Sequence, residues 1–252
     1  GWATGGERWG LSALVVVWLF FLHLRIFDEH KDFARDRVTH PDRVLSRGVV
    51  TLRELAILGG AALVIQAVLA GLLGVAPFTA WTASVVFSIA MFVEFGVGRW
   101  LSEHIVVYAL THNPVMVGIA LFVILATGAP LQSAHIGFIA LSSFAMLGFE
   151  FGRKIYLGHE EHPDVPSYTS ELGQKPARAL LMGTHLLTGV ALSATLAALA
   201  VSPLLIAAAV LLAIVPGVLT ALPGQPAKRV ELGASVVLLV GLLAIVILSW
   251  TV

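Results

Sequence analysis

The chain has 252 residues, of which 58% are hydrophobic and 12% charged, and its mean hydropathy is +0.93. A soluble domain carries roughly 25% charged residues, so this composition excludes an ordinary soluble domain and predicts an all-α polytopic membrane protein. The formal net charge of zero gives no support for a nucleic-acid partner. The chain contains no cysteine, which excludes disulfide and thiol chemistry.

Apolar stretches that can cross a lipid bilayer recur along the whole chain. The sequence predicts eight of them, at 9–27, 52–73, 78–97, 114–127, 135–151, 177–198, 203–222 and 232–250. With eight spans, every Lys and Arg except Arg8 falls on the same side of the membrane. The rule that positively charged loops stay inside makes that side cytoplasmic. We therefore expect a single membrane domain over 1–252, in an inner membrane of prokaryotic type.

A dense run of charge follows the first apolar stretch. Asp28, Asp32 and Asp36 recur at every fourth residue, and on an α-helix such residues lie on one face, about 6 Å apart along the axis. Three neighbouring carboxylates repel one another, and a hard cation such as Mg²⁺, which usually shares its coordination with substrate phosphate, relieves that repulsion. The alternative is a solvated helix end at the headgroups. The basic residues nearest in sequence are candidate phosphate partners: Lys31, Arg43 and Arg47.

This row and the stretch PDRVLSRG at 41–48 resemble the first aspartate-rich motif of the UbiA superfamily of intramembrane prenyltransferases. Asp28 stands where the family usually has Asn, Val44 stands where a second Pro is usual, and Arg47 lies between Ser46 and Gly48. The resemblance implies that Asp28, Asp32 and Asp36 are catalytic Mg²⁺ ligands at the cytoplasmic face. Members of the family usually have nine helices, so we expect that one leading helix is missing from this chain.

A second charged loop, residues 150–173, lies on the same predicted side of the membrane. The resemblance implies a second acidic motif here, closed by a Leu-Gly pair that Leu172 and Gly173 match. Lys154 matches the family's lysine and is a further candidate diphosphate partner. The spacing of Glu150 and Lys154 also allows a simple pair on one helical face. The nearest equivalents of the family's second set of metal ligands are Glu160 and Glu161, for which plain loop solvation is the alternative.

A polar segment, residues 99–113, precedes the fourth predicted span. In UbiA-like proteins the corresponding region caps the active site, and Arg99 is its one reasonable match to a diphosphate-binding residue. Glu94 is an ionisable residue at the end of the third span and is either functional or paired with a basic residue. The resulting candidates for an acceptor or cap role are Glu94, His104, Tyr108, His112 and Asn113.

Other residues in the spans have simpler interpretations. His23 is expected at the membrane interface, and His185 is expected to make a hydrogen bond between helices. The small residues Gly59 and Gly60, and those at 207–209, indicate close helix packing.

The leading functional hypothesis is Mg²⁺-dependent transfer of a prenyl group from a polyprenyl diphosphate to a lipophilic or aromatic acceptor, as in quinone, chlorophyll, haem or lipid biosynthesis. An intramembrane terpene cyclase shares the ionisation step and is the first alternative. A transporter or structural membrane protein is the alternative that is not an enzyme. Acidic residues that cluster at one membrane face argue against a transporter, whose coupling sites lie near mid-membrane.

Overall fold

A computed structural model of the chain describes residues 6–128, 130–161 and 165–248. All regular structure in these residues is helical: α1 Gly6–Thr39, α2 Leu52–Leu73, α3 Val75–Phe92, α4 Gly98–Ser102, α5 Ile105–His112, α6 Val115–Ala126, α7 Ser133–Gly152, α8 Tyr168–Leu172, α9 Gln174–Ala198, α10 Pro203–Ala221 and α11 Ala227–Leu248, with one 3-10 turn at Glu94–Gly96. Within those ranges, eight helical stretches are long and apolar enough to span a membrane. The predicted all-α membrane fold and its span count are confirmed.

The fourth span begins earlier than the sequence predicts. It runs over Ile105–Ala126, with α5 and α6 separated by a turn at Asn113 and Pro114. Proline has no backbone N–H and cannot continue the helical hydrogen bonds, which is why the helix breaks there. The predicted polar segment is therefore largely the first half of a membrane-spanning stretch. The eighth predicted span ends at 250, and its last residues lie outside the described residues.

The first helix is the longest in the chain. α1 continues for 34 residues from the apolar stretch into the charged motif, without a break. The motif contains good helix formers and no glycine or proline before Pro41, so nothing interrupts the helix at the membrane boundary. The predicted spacing of the three aspartates is thereby realised on a single helix.

The chain divides into two compact units, one comprising Gly1–Gly98 with Leu121–Pro130 and the other Arg99–Ala120 with Leu131–Val252. In the first unit α1, α2 and α3 pack against one another. A chain of buried hydrogen bonds crosses these three helices. Trp81 donates to Gln66 over 3.1 Å, Gln66 donates to Nδ1 of His23 over 3.4 Å, and Nε2 of His23 lies 3.0 Å from the Ser88 hydroxyl. His23, expected at the interface, is fully buried.

In the second unit α7, α9, α10 and α11 pack around one another. Glycines let these helices approach closely. A Cβ added at Gly217 would lie 2.3 Å from Val237, one at Gly152 would lie 2.6 Å from Ala234, and one at Gly137 would lie 2.4 Å from Thr195. This is the packing by small residues that stabilises membrane helices.

The small residues for which the sequence predicts close packing have more space around them than those three glycines. An added Cβ at Gly60 would meet nothing within 4 Å, and one at Gly59 would make ordinary contact with Ile26. Ala207 and Ala208 are exposed on α10. The expectation of close packing at Gly60 and at these two alanines was wrong, because composition does not reveal which helix face has a partner.

Two polar residues of α9 have contrasting surroundings. Arg178 is buried and donates to the backbone oxygens of Leu222, the C-cap of α10, and of Gln225 in the loop that follows, 2.8 Å away in each case. A cation at that end satisfies carbonyls that the helix leaves unpaired. His185 is fully buried, and neither of its ring nitrogens has a hydrogen-bond partner among the described residues. The expected interhelical hydrogen bond of His185 is not made.

Candidate functional site

The three aspartates on α1 differ in how exposed their side chains are. Asp28 is exposed, the side chain of Asp32 is 41% exposed, and Asp36 is buried. Asp32 forms an ion pair with Arg35, whose guanidinium lies 2.9 Å from the carboxylate. Asp28 and Asp32 are therefore at least partly exposed, while Asp36 faces the loop that follows the helix.

Asp36 anchors that loop through its side chain and its backbone. Arg43 donates to the Asp36 carboxylate, and Nδ1 of His40 lies 3.8 Å from it. The backbone oxygen of Asp36 accepts from the His40 amide at 2.8 Å and from the Ser46 hydroxyl at 3.3 Å. A loop of 40–48 is thus folded back onto the end of α1. This fold places the Arg43 guanidinium against the Asp36 carboxylate, whereas Arg47 is exposed.

Lys31 and Glu94, which the sequence selected for separate reasons, form an ion pair in the first unit. The Nζ of Lys31 lies 3.2 Å from Oε1 of Glu94, and their side chains are only 15% and 29% exposed. The pairing of Glu94 with a basic residue is one of the two outcomes that the sequence predicts. Lys31 follows Asp28 by three residues and precedes Asp32, so the pair adjoins the aspartate row.

The turn that carries Glu94 has an unusual backbone. Glu94, Phe95 and Gly96 all have positive φ, at 51°, 53° and 74°. Left-handed conformations cost roughly 1–3 kcal/mol each at residues other than glycine, and they persist where the surrounding structure or a function requires them. An added Cβ at Gly98 would lie 2.1 Å from Oε2 of Glu94, so a larger residue there would require this carboxylate to move. This turn is why the third span ends at Phe92 rather than at the predicted residue 97.

In the second unit, the residues of the polar segment pair along their own stretch of chain. The rings of Trp100 and His104 stack with centroids 4.5 Å apart, and those of Tyr108 and His112 stack at 3.9 Å. Nδ1 of each histidine lies 2.8 Å from the backbone oxygen four residues earlier. Asn113 ends α5, and Arg99 is exposed.

The second charged loop begins with a compact ion cluster. Glu150, at the end of α7, lies 2.9 Å from the Lys154 ammonium and 2.5 Å from Nε of Arg153. The expected pairing of Glu150 with Lys154 is confirmed. Lys154 retains donors beyond this contact because an ammonium carries three.

Glu160 and Glu161 are ordered by hydrogen bonds and are not simply solvated. Glu160 accepts from the backbone amides of Leu157 at 2.9 Å and Ala227 at 3.0 Å, which holds its pKa below the usual value. Glu161 accepts from the hydroxyls of Ser167 at 2.7 Å and Thr169. A carboxylate offers about four acceptor sites, so both residues keep capacity for a further ligand.

Sequence reasoning overlooked Tyr168, which lies in α8 within this loop. Its ring is buried edge-on against Phe151, 4.9 Å away, and its hydroxyl has no hydrogen-bond partner among the described residues. Burial raises the pKa of this hydroxyl well above its usual range. No sequence signal distinguishes this tyrosine from one at a membrane interface.

Within the residues that the structure describes, no three His, Asp or Glu side chains come together in a group that could hold a metal ion. The oxygen donors of the α1 row nevertheless have the chemistry that Mg²⁺ prefers. Mg²⁺ usually keeps several waters and binds through one or two carboxylates plus substrate phosphates.

The fold defines an integral membrane protein of the polytopic helical class. No protein-family model matches the chain, and neither a curated protein nor a solved structure matches it. The assignment to the UbiA superfamily stays a prediction that rests on the residues of the first motif and, less specifically, on the second charged loop.

Proposed function

We propose that the protein is a Mg²⁺-dependent intramembrane prenyltransferase of UbiA type. The observation that carries this proposal is the single helix α1, which presents Asp28, Asp32 and Asp36 where a membrane-spanning stretch ends. A polyprenyl diphosphate has a charged head and a long apolar tail. A helix that is apolar at one end and acidic at the other suits such a substrate, because its carboxylates would hold a Mg²⁺ ion that neutralises the diphosphate.

In the proposed reaction, the allylic C–O bond of the donor breaks and its electron pair leaves with the diphosphate. A nucleophilic atom of a lipophilic acceptor then bonds to the allylic carbon and loses a proton. When bound, Mg²⁺ would supply positive charge that stabilises the diphosphate as a leaving group. The protein's own task is to bind the head group with cations and to exclude water from the carbocation.

The ion pair of Asp36 and Arg43 suggests how diphosphate binding would make the Asp36 carboxylate available to the metal. We expect Arg43 to move from the Asp36 carboxylate to the diphosphate, since guanidinium groups bind phosphate through two parallel hydrogen bonds. That exchange frees Asp36 to join Asp28 and Asp32 as a ligand. Asp36 therefore stays in the proposed metal set although Arg43 pairs with it in the structure.

The remaining assignments are part of the same proposal. Glu160 and Glu161 are proposed ligands of a second Mg²⁺. The further diphosphate partners are Lys31, Arg47, Arg99 and Lys154. The proposed acceptor or cap residues are Glu94, His104, Tyr108, His112 and Asn113. We further propose that the acidic motifs lie on the cytoplasmic side of a prokaryotic inner membrane.

The test is release of diphosphate from geranyl, farnesyl and geranylgeranyl diphosphate by the full chain in liposomes, with Mg²⁺ or with EDTA. We expect release with Mg²⁺ and none with EDTA. Asp32→Asn should lower release by more than about 100-fold, since even second-shell changes at metal sites cost 10–100-fold. Asp42→Asn is the matched control, because Asp42 is exposed and lies off the row.

Release that persists in EDTA, or in a well-folded Asp32→Asn variant, would overturn the proposal. A cyclic product formed without any acceptor would redirect it to a terpene cyclase with the same ionisation chemistry. Absence of release from every donor, with a lipophilic acceptor supplied and the protein folded, would favour a transporter or structural protein.

A further inference from the structure

The buried polar side chains of the first unit form a network that joins its three helices. Trp81 of α3, Gln66 of α2 and His23 of α1 are hydrogen-bonded in that order, and Ser88 of α3 follows His23. His23, Gln66 and Ser88 are fully buried, and Trp81 is only 8% exposed. Because buried polar groups have no water to bond with, each donor in this polar network depends on the acceptor next to it.

The indole at one end of the polar network determines which atoms donate. Trp81 can only donate, so the Gln66 atom that lies 3.1 Å from its Nε1 must be the side-chain oxygen. The Gln66 amide nitrogen then faces Nδ1 of His23 at 3.4 Å, and because it too only donates, Nδ1 must carry a lone pair. The proton of the neutral ring is therefore on Nε2, which donates to the Ser88 hydroxyl over 3.0 Å. Ser88 donates in turn to the backbone oxygen of Val85, 2.8 Å away.

The two helices that pack against α1 bring no opposite charge to His23. α3 contains no acidic, basic or other titratable residue. The charged residues of α2 are Arg53 and Glu54 in its first turn, about 18 Å along the helix axis from Gln66. The groups that these helices place against the imidazole are the Gln66 amide and the Ser88 hydroxyl, and both are neutral.

The rest of α1 offers no counter-charge either. The rings of Phe20 and Phe27 lie against the His23 ring, with centroids 4.4 Å and 5.3 Å away. The charged residues of α1 nearest in sequence are Arg25 and Asp28, and both are exposed. A positively charged His23 would therefore be a buried cation without a paired anion, which is costly.

A second proton on His23 is also incompatible with the observed hydrogen bonds. It would bind at Nδ1, the nitrogen that accepts from Gln66, and would set two donors against each other. Rotation of the Gln66 amide by half a turn relieves that contact, because the amide oxygen then accepts from Nδ1. The same rotation turns the amide nitrogen toward Trp81, whose indole N–H loses its acceptor.

We propose that this polar network is a pH-sensitive link between the helices of the first unit, in which protonation of His23 reverses the Gln66 amide and releases Trp81. The hydrogen-bonded form is the neutral one, so the link is intact at high pH and opens as pH falls through the titration of His23. Opening loosens the contact between α2 and α3, although the proton binds on α1. The inference is independent of the proposed prenyl transfer, since none of these residues belongs to its candidate site.

The experiment is a pH titration of the full chain in detergent micelles, with ¹⁵N in the histidine rings and tryptophan indoles. Nuclear magnetic resonance follows both from about pH 8 to about pH 4, which spans the titration of ordinary imidazoles. The signals of His23 and Trp81 are assigned with His23→Gln and Trp81→Phe. At the alkaline end we expect a neutral His23 ring with its proton on Nε2. On acidification, both ring nitrogens should become protonated and the Trp81 signal should shift with the same midpoint, while circular dichroism shows unchanged helix content.

Trp18 is the control within the same spectrum. It is 66% exposed on α1 and lies outside the polar network, so its signal should not follow His23. His23→Gln is the matched variant, because glutamine keeps a donor and an acceptor but does not titrate, and Trp81 should then be insensitive to pH. Gln66→Met provides a second variant, in which His23 should still titrate but Trp81 should no longer follow it.

Several outcomes would overturn the proposal. A neutral His23 ring with its proton on Nδ1 would contradict the direction of the polar network. A His23 ring that stays neutral throughout the titration, or that is protonated without a shift of Trp81, would exclude the switch. So would a Trp81 shift that persists in His23→Gln, or a loss of helix content at the His23 midpoint, since the latter would mean global unfolding and not a local opening.

Discussion

The carboxylate of Glu171 accepts a hydrogen bond from the backbone amide of Ile105, 3.1 Å away. Ile105 is the first residue of α5, and its preceding residue, His104, makes no side-chain capping bond. An acidic side chain 66 residues later therefore satisfies one of the unpaired amides at the start of this helix. The second charged loop and the polar segment are joined through this contact.

Removing this cap should destabilise the protein. We expect Glu171→Ala to lower the free energy of unfolding by about 1 kcal/mol, the usual effect of losing a helix cap. Thermal unfolding in detergent measures the change. Glu103→Ala is the control, since Glu103 is exposed and close in sequence to α5. Equal unfolding temperatures for the two variants would contradict the capping role.

The hydrogen bonds of Glu160 predict a dependence of stability on pH. They hold the pKa of Glu160 below its ordinary value of 4.5. A carboxyl group whose pKa is lower in the folded state stabilises the fold above its unfolded pKa, and that contribution disappears as pH falls through the folded pKa. The unfolding temperature should therefore fall more steeply below about pH 4.5 in the wild type than in Glu160→Gln.

Gln keeps an acceptor oxygen for the amides of Leu157 and Ala227 but does not titrate, which makes Glu160→Gln the appropriate comparison. Glu103→Gln should retain the acid sensitivity of the wild type. An unchanged acid response in Glu160→Gln would show that these hydrogen bonds do not depend on the charge of Glu160.

The two buried histidines should respond differently to replacement by leucine. His23→Leu removes the partner of Gln66 and Ser88 and should destabilise the protein by about 1–3 kcal/mol, the cost of leaving buried polar groups unpaired. His185→Leu removes two ring nitrogens that have no partner among the described residues. Replacing unpaired polar atoms by apolar ones should be neutral or stabilising.

Thermal unfolding of the two variants tests this contrast. His23→Gln is a further comparison, because it retains a donor and an acceptor on a side chain of similar length. Strong destabilisation by His185→Leu would indicate that the His185 ring fills its site too closely for leucine, or that its nitrogens have a role in binding.

Two glycines on helices should also differ sharply. Gly217→Ala would place a Cβ 2.3 Å from Val237 and 2.9 Å from His185, so we expect destabilisation by about 1–3 kcal/mol from overpacking. Gly60→Ala meets nothing within 4 Å and should stabilise α2 by about 0.5–1 kcal/mol, because alanine loses less backbone entropy. Unfolding temperatures in one detergent check both values, and equal behaviour would contradict the assigned packing.

Much of this architecture was predictable because it depends on local chemistry. Composition and the length of the apolar stretches determine that the chain is helical and crosses a membrane, since lipid requires every backbone group to be paired internally. The spacing of Asp28, Asp32 and Asp36 places them on one face because helix geometry is fixed. The pairing of Glu150 with Lys154 follows from the same geometry.

The contacts between distant residues were decided only by the tertiary structure. The sequence does not indicate that His23 is buried against Ser88, that Glu94 reaches Lys31, or that Glu171 caps α5. Each depends on which helix faces meet, and side chains with similar periodicity allow many such pairings. Composition and residue spacing were enough to predict the class of the protein and the acidic row of α1. Packing decided that Arg43 folds back onto Asp36 and that Glu94 pairs with Lys31.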